Sequence, residues 1–216
     1  MPEPPVTRDE IENAPIKAKI RAGEEVVKRL LEENPSRTGV VFAGGRDSTL
    51  ALWLVRRVCE ENGFEKPDVL FPGTEDRAIQ EHVQGVADEW GFDVLEDTEP
   101  EEFDAVIDGA SWGTQDTGFY SGDDPVKAHP VLQFHGEDAW KATWIHMIPD
   151  VTGLEVDELP ESPEDLSGDA RIEDLPLSPE YWEAFREGNP AWLRDADEPD
   201  GNEKEVMDKL KKLGYM

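Results

Sequence analysis

The chain has 216 residues, 51 of them acidic and 21 basic, for a formal charge of −30 at pH 7. That length suits one α/β domain with an extension, and 37% hydrophobic residues, including seven Trp and eight Phe, suffice for a packed core and exclude global disorder. Acid spread along the whole chain leaves no basic face for DNA or RNA, and it suits a protein that stays hydrated in strong salt, where charge repulsion is screened.

Residues 1–14 are acidic and proline-rich, unlike a signal peptide, and read as a loose arm. From Pro15 to Asn34, Ile16, Ile20, Val26, Val27, Leu30 and Leu31 recur at helical spacing, with Pro15 suited to the first turn and Pro35 to a stop. Residues 39–43 form a buried-strand pattern, and 48–61 a helix with Leu50, Leu54, Val55 and Val58 inward. Cys59 lies in that helix and is the only cysteine. It excludes an intramolecular disulfide, a thiolate-held iron–sulfur cluster and a four-cysteine zinc site, and beside Val58 it reads as a structural thiol. Residues 67–71 are a second strand, followed by a helix with Ile79, Val83, Val86, Ala87 and Trp90 on one stripe.

Segments 92–95, 103–108 and 129–134 are further strand candidates, and 136–148 another helix. Strands alternating with helices predict an α/β fold, a doubly wound, mostly parallel five-stranded sheet with helices on both faces. The composition changes after Pro149. Residues 155–180 hold ten carboxylates, one Arg and four prolines, an acidic connector, and two short helices beyond it are expected to dock on the domain. The expected organisation is an arm (1–14), a nucleotide-binding domain (15–150), and a connector with docked helices (151–216). No apolar run approaches a membrane span, so no membrane partner is expected, and the expected location is the cytoplasm of a high-salt organism.

The chemistry concentrates in Ala43-Gly44-Gly45-Arg46-Asp47-Ser48-Thr49, which joins a strand to a helix. Glycines let the backbone approach a ligand closely and take up positive φ. The following amides and the helix start then face an anion. Ser48 and Thr49 offer hydroxyls and Arg46 a charged fork, while Asp47 can cap the helix or help hold a magnesium ion on phosphates. The spacing is neither a Walker loop nor a dinucleotide fingerprint, and the plain alternative is a glycine turn before a capped helix.

This stretch resembles the pyrophosphate-binding loop of the adenine nucleotide α-hydrolase superfamily, strand-Ser-Gly-Gly-x-Asp-Ser-helix. Pro130, Val131, Leu132, Phe134, Asp138 and Trp140 are similar to a segment of its PAPS reductase and sulfate adenylyltransferase small-subunit family. The resemblance covers roughly residues 15–148. It implies a doubly wound sheet that cleaves ATP between its α and β phosphates, with Mg²⁺ expected on the nucleotide, while the single cysteine leaves no iron–sulfur cluster and no zinc expected.

Residues 43–49 would carry the phosphates, with Phe71, Thr74 and Gly109 near the nucleotide. Arg46, Asp47 and Lys127 would be the catalytic groups, Asp47 also meeting the metal. His129 and Arg77 are weaker candidates on the same expected edge. Small-molecule partners would be a nucleotide and an oxyanion such as sulfate, and a homo-oligomer or a partner subunit fits the family. Two alternatives accompany this reading: a reductase of PAPS or adenylyl sulfate, and a nucleotide-binding regulator without turnover. The chain departs from the family at Ala43, where Ser is usual, and at Gly109-Ala110-Ser111-Trp112, where arginines are usual. It also lacks the C-terminal cysteine that thiol-dependent reductases use.

Overall fold

The computed structural model describes residues 2–33, 37–96, 98–109, 118–134 and 137–153. In chain order, the elements are α1 (Arg8–Glu12), α2 (Ile16–Glu33), β1 (Thr38–Val41), α3 (Arg46–Asn62), β2 (Asp68–Phe71), α4 (Arg77–Trp90) and β3 (Val94–Glu96). After a single 3₁₀ turn at Pro100–Glu102 come β4 (Ala105–Ile107), β5 (Tyr120–Ser121) and β6 (Val126–Ala128). The described chain closes with α5 (Glu137–Lys141), a π-helical segment (Ala142–Met147) and α6 (Ile148–Thr152).

The strands form one sheet in the order β3-β2-β1-β4-β6-β5. All neighbours are parallel except β5, which runs antiparallel to β6. The mostly parallel α/β fold read from the sequence is therefore present. It has six strands rather than five, because the two-residue strand Tyr120–Ser121 adds an edge too short for its pattern to be recognised. The chain runs outward from β1 to β2 and β3, then returns to place β4 on the other side of β1. The reversal point, where two neighbouring strands send their connections in opposite directions, is thus the carboxyl end of β1 and β4.

Side chains alternate across the sheet and sort its two faces. Val40, Val69, Phe71, Ala105, Ile107 and Ala128 join one core with Leu30 of α2, Leu54 of α3 and Val83, Val86 and Trp90 of α4. The other face carries a small apolar group, Leu70, Phe103 and Val106 with Val41 and Leu95. Among the described residues the helices cover the first face, so the expectation of helices on both faces is not met there. The step from β3 to β4 has only a 3₁₀ turn instead of a crossover helix.

The N-terminal segment is not loose over its described part. Thr7 and Glu10 close a capping box on α1, and Ile11, 1% exposed, inserts into the core. The strand expected at 129–134 is also corrected, the strand being Val126–Ala128. Pro130 has no N–H to give a ladder, and the chain instead makes tight turns, with Leu132 N–H bonding His129 O and Phe134 N–H bonding Val131 O. Gln133, fully buried, closes this segment by donating to Lys19 O and Pro130 O.

Asp138, read as a first-turn acid on a helix dipole, has a larger role. It meets the Nζ of buried Lys19 at 2.6 Å and pins α5 against α2. Asp150 likewise ties α6 to α3, accepting from Trp53 Nε1 at 2.8 Å and from Arg57 at 3.2 Å. The expected connector and docked helices lie outside the described residues beyond Gly153. Among the described residues no helix is long and apolar enough to cross a membrane.

Candidate functional site

β1 delivers the chain to the reversal point, and Phe42, fully buried, extends the ladder by donating its N–H to Leu70 O. The chain then turns at Gly44, whose φ of +76° is one that a side chain resists. A Cβ there would also stand 3.1 Å from His82 Cδ2. Gly45 is the N-cap of α3 and, having no side chain, caps nothing. The first-turn amides of α3 consequently have no side-chain partner from the cap and open towards the carboxyl edge of the sheet.

Gly109, two residues past β4, closes the other side. A Cβ on it would lie 2.8 Å from the carbonyl carbon and oxygen of Asp47 and from Cα of Ser48. The end of β4 therefore rests directly on the first turn of α3, and only glycine permits that approach. Two glycine-bearing stretches 65 positions apart in sequence thus make one surface.

The polar side chains of the loop are largely engaged with one another. Arg46 Nε meets Asp47 Oδ1 at 2.6 Å, both side chains partly exposed at the mouth. Ser48 Oγ donates to Gly45 O at 2.9 Å, and a long contact of 3.4 Å joins it to Ala43 N. Thr49 is fully buried, and its hydroxyl also donates to Gly45 O, at 2.8 Å. The surface facing a ligand is thus backbone, Ser48 and the Arg46–Asp47 pair, with Thr49 holding the turn from beneath.

The remaining residues singled out from sequence divide into two groups. Phe71 ends β2 on the same edge, with its ring in the core and its backbone at the rim. Thr74 is in the following loop, accepting from Asp76 N and, through its carbonyl, from Gln80. Arg77 is exposed and paired with Glu81. Lys127 is not brought to the loop. It lies mid-strand in β6, opposite Val106, with β4 interposed between it and β1. His129 follows β6, fully buried, and bonds Ser121.

One histidine carries a signal that the sequence did not. His82 packs against Gly44 and Phe42, its Nε2 is buried without a partner, and burial holds its pKa below the usual histidine range. It is half-buried at the flank of the apolar stripe of α4, so only its spatial neighbour Gly44 makes it notable. Cys59 is 2% exposed and its thiol is pushed up to about 11, mainly by burial, in line with a structural thiol. A cavity of about 470 Å³ is lined by Arg37, Thr38, Lys66, Asp68 and Phe103 at the amino ends of the strands. It is at the opposite edge from the loop and takes no part in this site. Among the described residues no group of three or more His, Cys, Asp or Glu side chains is placed to hold a metal ion.

No family model matches the sequence, and no curated protein matches it. Among solved structures, the chain is similar to the Candida glabrata FMN adenylyltransferase in complex with ATP, at 13% identity and a TM-score of 0.46. It is similar to the same enzyme in complex with FMN and the ATP analogue AMPCPP, at 12% identity and the same TM-score. Each match covers 64% of this chain and 61% or 62% of the other, so this chain spans less than two thirds of their length. Likeness at that level leaves the activity to be argued from the site itself.

Proposed function

We propose that the chain binds Mg-ATP at the reversal point and transfers its adenylyl group to an oxyanion acceptor, releasing pyrophosphate. One observation carries the reading: an uncapped α3 N-terminus, following Gly44 and Gly45, sits at the carboxyl edge between β1 and β4 and is sealed by Gly109. Such a place offers converging amides and the positive end of a helix dipole to phosphate oxygens. In this reading the β and γ phosphates lie on residues 44–48, with the adenine beside the backbone of Phe71 and Gly109. Arg46 turns from Asp47 to the phosphates, and Asp47 gives one oxygen to a magnesium ion held mainly by the nucleotide.

Net charge does not forbid this. In molar salt the screening length is about 3 Å, so distant carboxylates act weakly on a site built from amides and one arginine. Sulfate as the acceptor, and with it a place in sulfur metabolism, rests on the sequence resemblance alone. Lys127, separated from β1 by β4, is not assigned to the transferred adenylyl group.

A regulator that binds nucleotide without turnover is favoured by one feature, the engagement of Arg46 by Asp47 at 2.6 Å. Reduction of a sulfonucleotide by a thiol is disfavoured by the buried, high-pKa Cys59. The deciding experiment incubates the full chain with Mg-ATP in molar potassium chloride, with and without sulfate, and assays AMP and pyrophosphate. Turnover lost in Arg46→Ala and Asp47→Ala supports transfer. Tight Mg-ATP binding with no AMP or pyrophosphate selects the regulator, and full activity in both variants removes the site.

A further inference from the structure

A second polar cluster stands on the face of the sheet away from α2, α3 and α4. Ser121 Oγ and His129 Nε2 lie 2.9 Å apart, within the range of a nucleophile and its base. Lys127 pairs with Ser121 across the β5–β6 ladder, which places their Cβ atoms about 5 Å apart on one face. Asp108 continues β4 beside them, its N–H bonding Ala128 O. His129 is fully buried, and its Nδ1 has no hydrogen-bond partner. Ser121 and Lys127 are partly exposed, so a reactant can reach the hydroxyl while the imidazole stays dry.

We propose that Ser121 is a nucleophile, with His129 as its general base, in a second reactive centre that takes an acyl group from a small uncharged ester. Burial keeps the imidazole below the usual histidine pKa and hence unprotonated at neutral pH, with Asp108 opposing and Lys127 reinforcing that effect. Ser121 Oγ adds to the ester carbonyl carbon as its proton passes to Nε2 of His129. The bond from that carbon to the leaving oxygen then breaks, and the departing alkoxide takes the proton back from Nε2. An acyl-serine and a free alcohol result. Water attacking the acyl-serine by the same proton route regenerates Ser121 and releases the acid.

In this proposal Lys127, the cross-strand neighbour of Ser121, supplies positive charge to the carbonyl oxygen as it gains negative charge, and the Asp108 carboxylate offsets the transient imidazolium. The uncharged substrate follows from the cluster itself, where the Asp108 carboxylate balances the Lys127 ammonium beside His129.

The test treats the full chain in molar potassium chloride with a serine-directed fluorophosphonate and locates the label by peptide mass spectrometry. Expected is a single label on Ser121, absent from Ser121→Ala, with the rate reduced about 100-fold or more in His129→Gln. Circular dichroism confirms that each variant is folded. Ser121→Cys, alkylated by iodoacetamide faster than Cys59, supplies a second readout that does not require replacing the buried histidine. A folded native chain that takes no label, a label that persists in Ser121→Ala, or a His129→Gln rate equal to native overturns the proposal. Arg46→Ala leaves the labelling unchanged, which separates this centre from the nucleotide site.

Discussion

Replacing Gly109 by Ala tests the join between β4 and the loop. The added methyl would stand 2.8 Å from three backbone atoms of Asp47 and Ser48, where ordinary contact begins at 3.4 Å. The first turn of α3 must therefore retreat by about 0.6 Å, and backbone cannot rotate away as a flexible side chain would. Overpacking of this kind costs about 1–3 kcal/mol. The φ of Gly109 is outside the left-handed region, so the penalty is steric and carries no conformational component.

Gly85 is the matched control. It lies inside α4 with nothing within 4 Å of its added Cβ, and Gly85→Ala should stabilise by roughly 0.5–1 kcal/mol through helix propensity. Urea unfolding in molar potassium chloride measures both. Mg-ATP titration then measures the functional consequence, a loss of roughly 5-fold to 150-fold in affinity if the displaced turn carries the phosphates. A Gly109→Ala chain as stable as the native one and with native affinity would refute the contact between β4 and the loop.

Asp138→Ala removes the partner of a lysine whose side chain is 3% exposed. Lys19 keeps a bond to Glu12 O at 2.8 Å, so the expected loss is about 2–3 kcal/mol, below the full cost of stranding a buried charge, read as a lower urea midpoint at unchanged slope. His146 is held at a pKa of about 4, first by burial and then by Lys17 and Arg57. The unfolded chain takes up that proton near pH 6.5 and the folded chain only near 4, so stability falls as pH drops through this window. His146→Gln should flatten part of that acid limb, by at most about 3 kcal/mol at pH 4 in thermal or urea unfolding, and an unchanged limb would show that the imidazole is not buried neutral.

Much of the architecture was legible locally. The apolar period of α2, α3 and α4 and the runs that became β1, β2 and β4 are properties of neighbouring residues, and the fold follows them. So does the glycine turn before α3, because positive φ and a helix start are written in a few consecutive positions. The misreadings have the same origin. The apolar run 129–134 has no period of its own and becomes turns because Pro130 cannot join a ladder, while the strand forms just upstream, where Val126 and Lys127 are half-buried and only Ala128 is fully buried.

What only the tertiary structure decided are the contacts between distant positions. Strand order, set by which surfaces bury best together, put β4 beside β1 and so laid Gly109 on Asp47. The same order separated Lys127 from the loop that its charge suggested it would serve, and gave it Ser121 as a cross-strand neighbour. His82 against Gly44, Lys19 with Asp138 and Ser121 with His129 arise likewise from packing. The sequence by itself determined the acidic, single-cysteine α/β chain and its amide-rich turn. The tertiary structure decided which edge that turn faces and which side chains reach it, because burial couples residues by distance in space rather than by spacing along the chain.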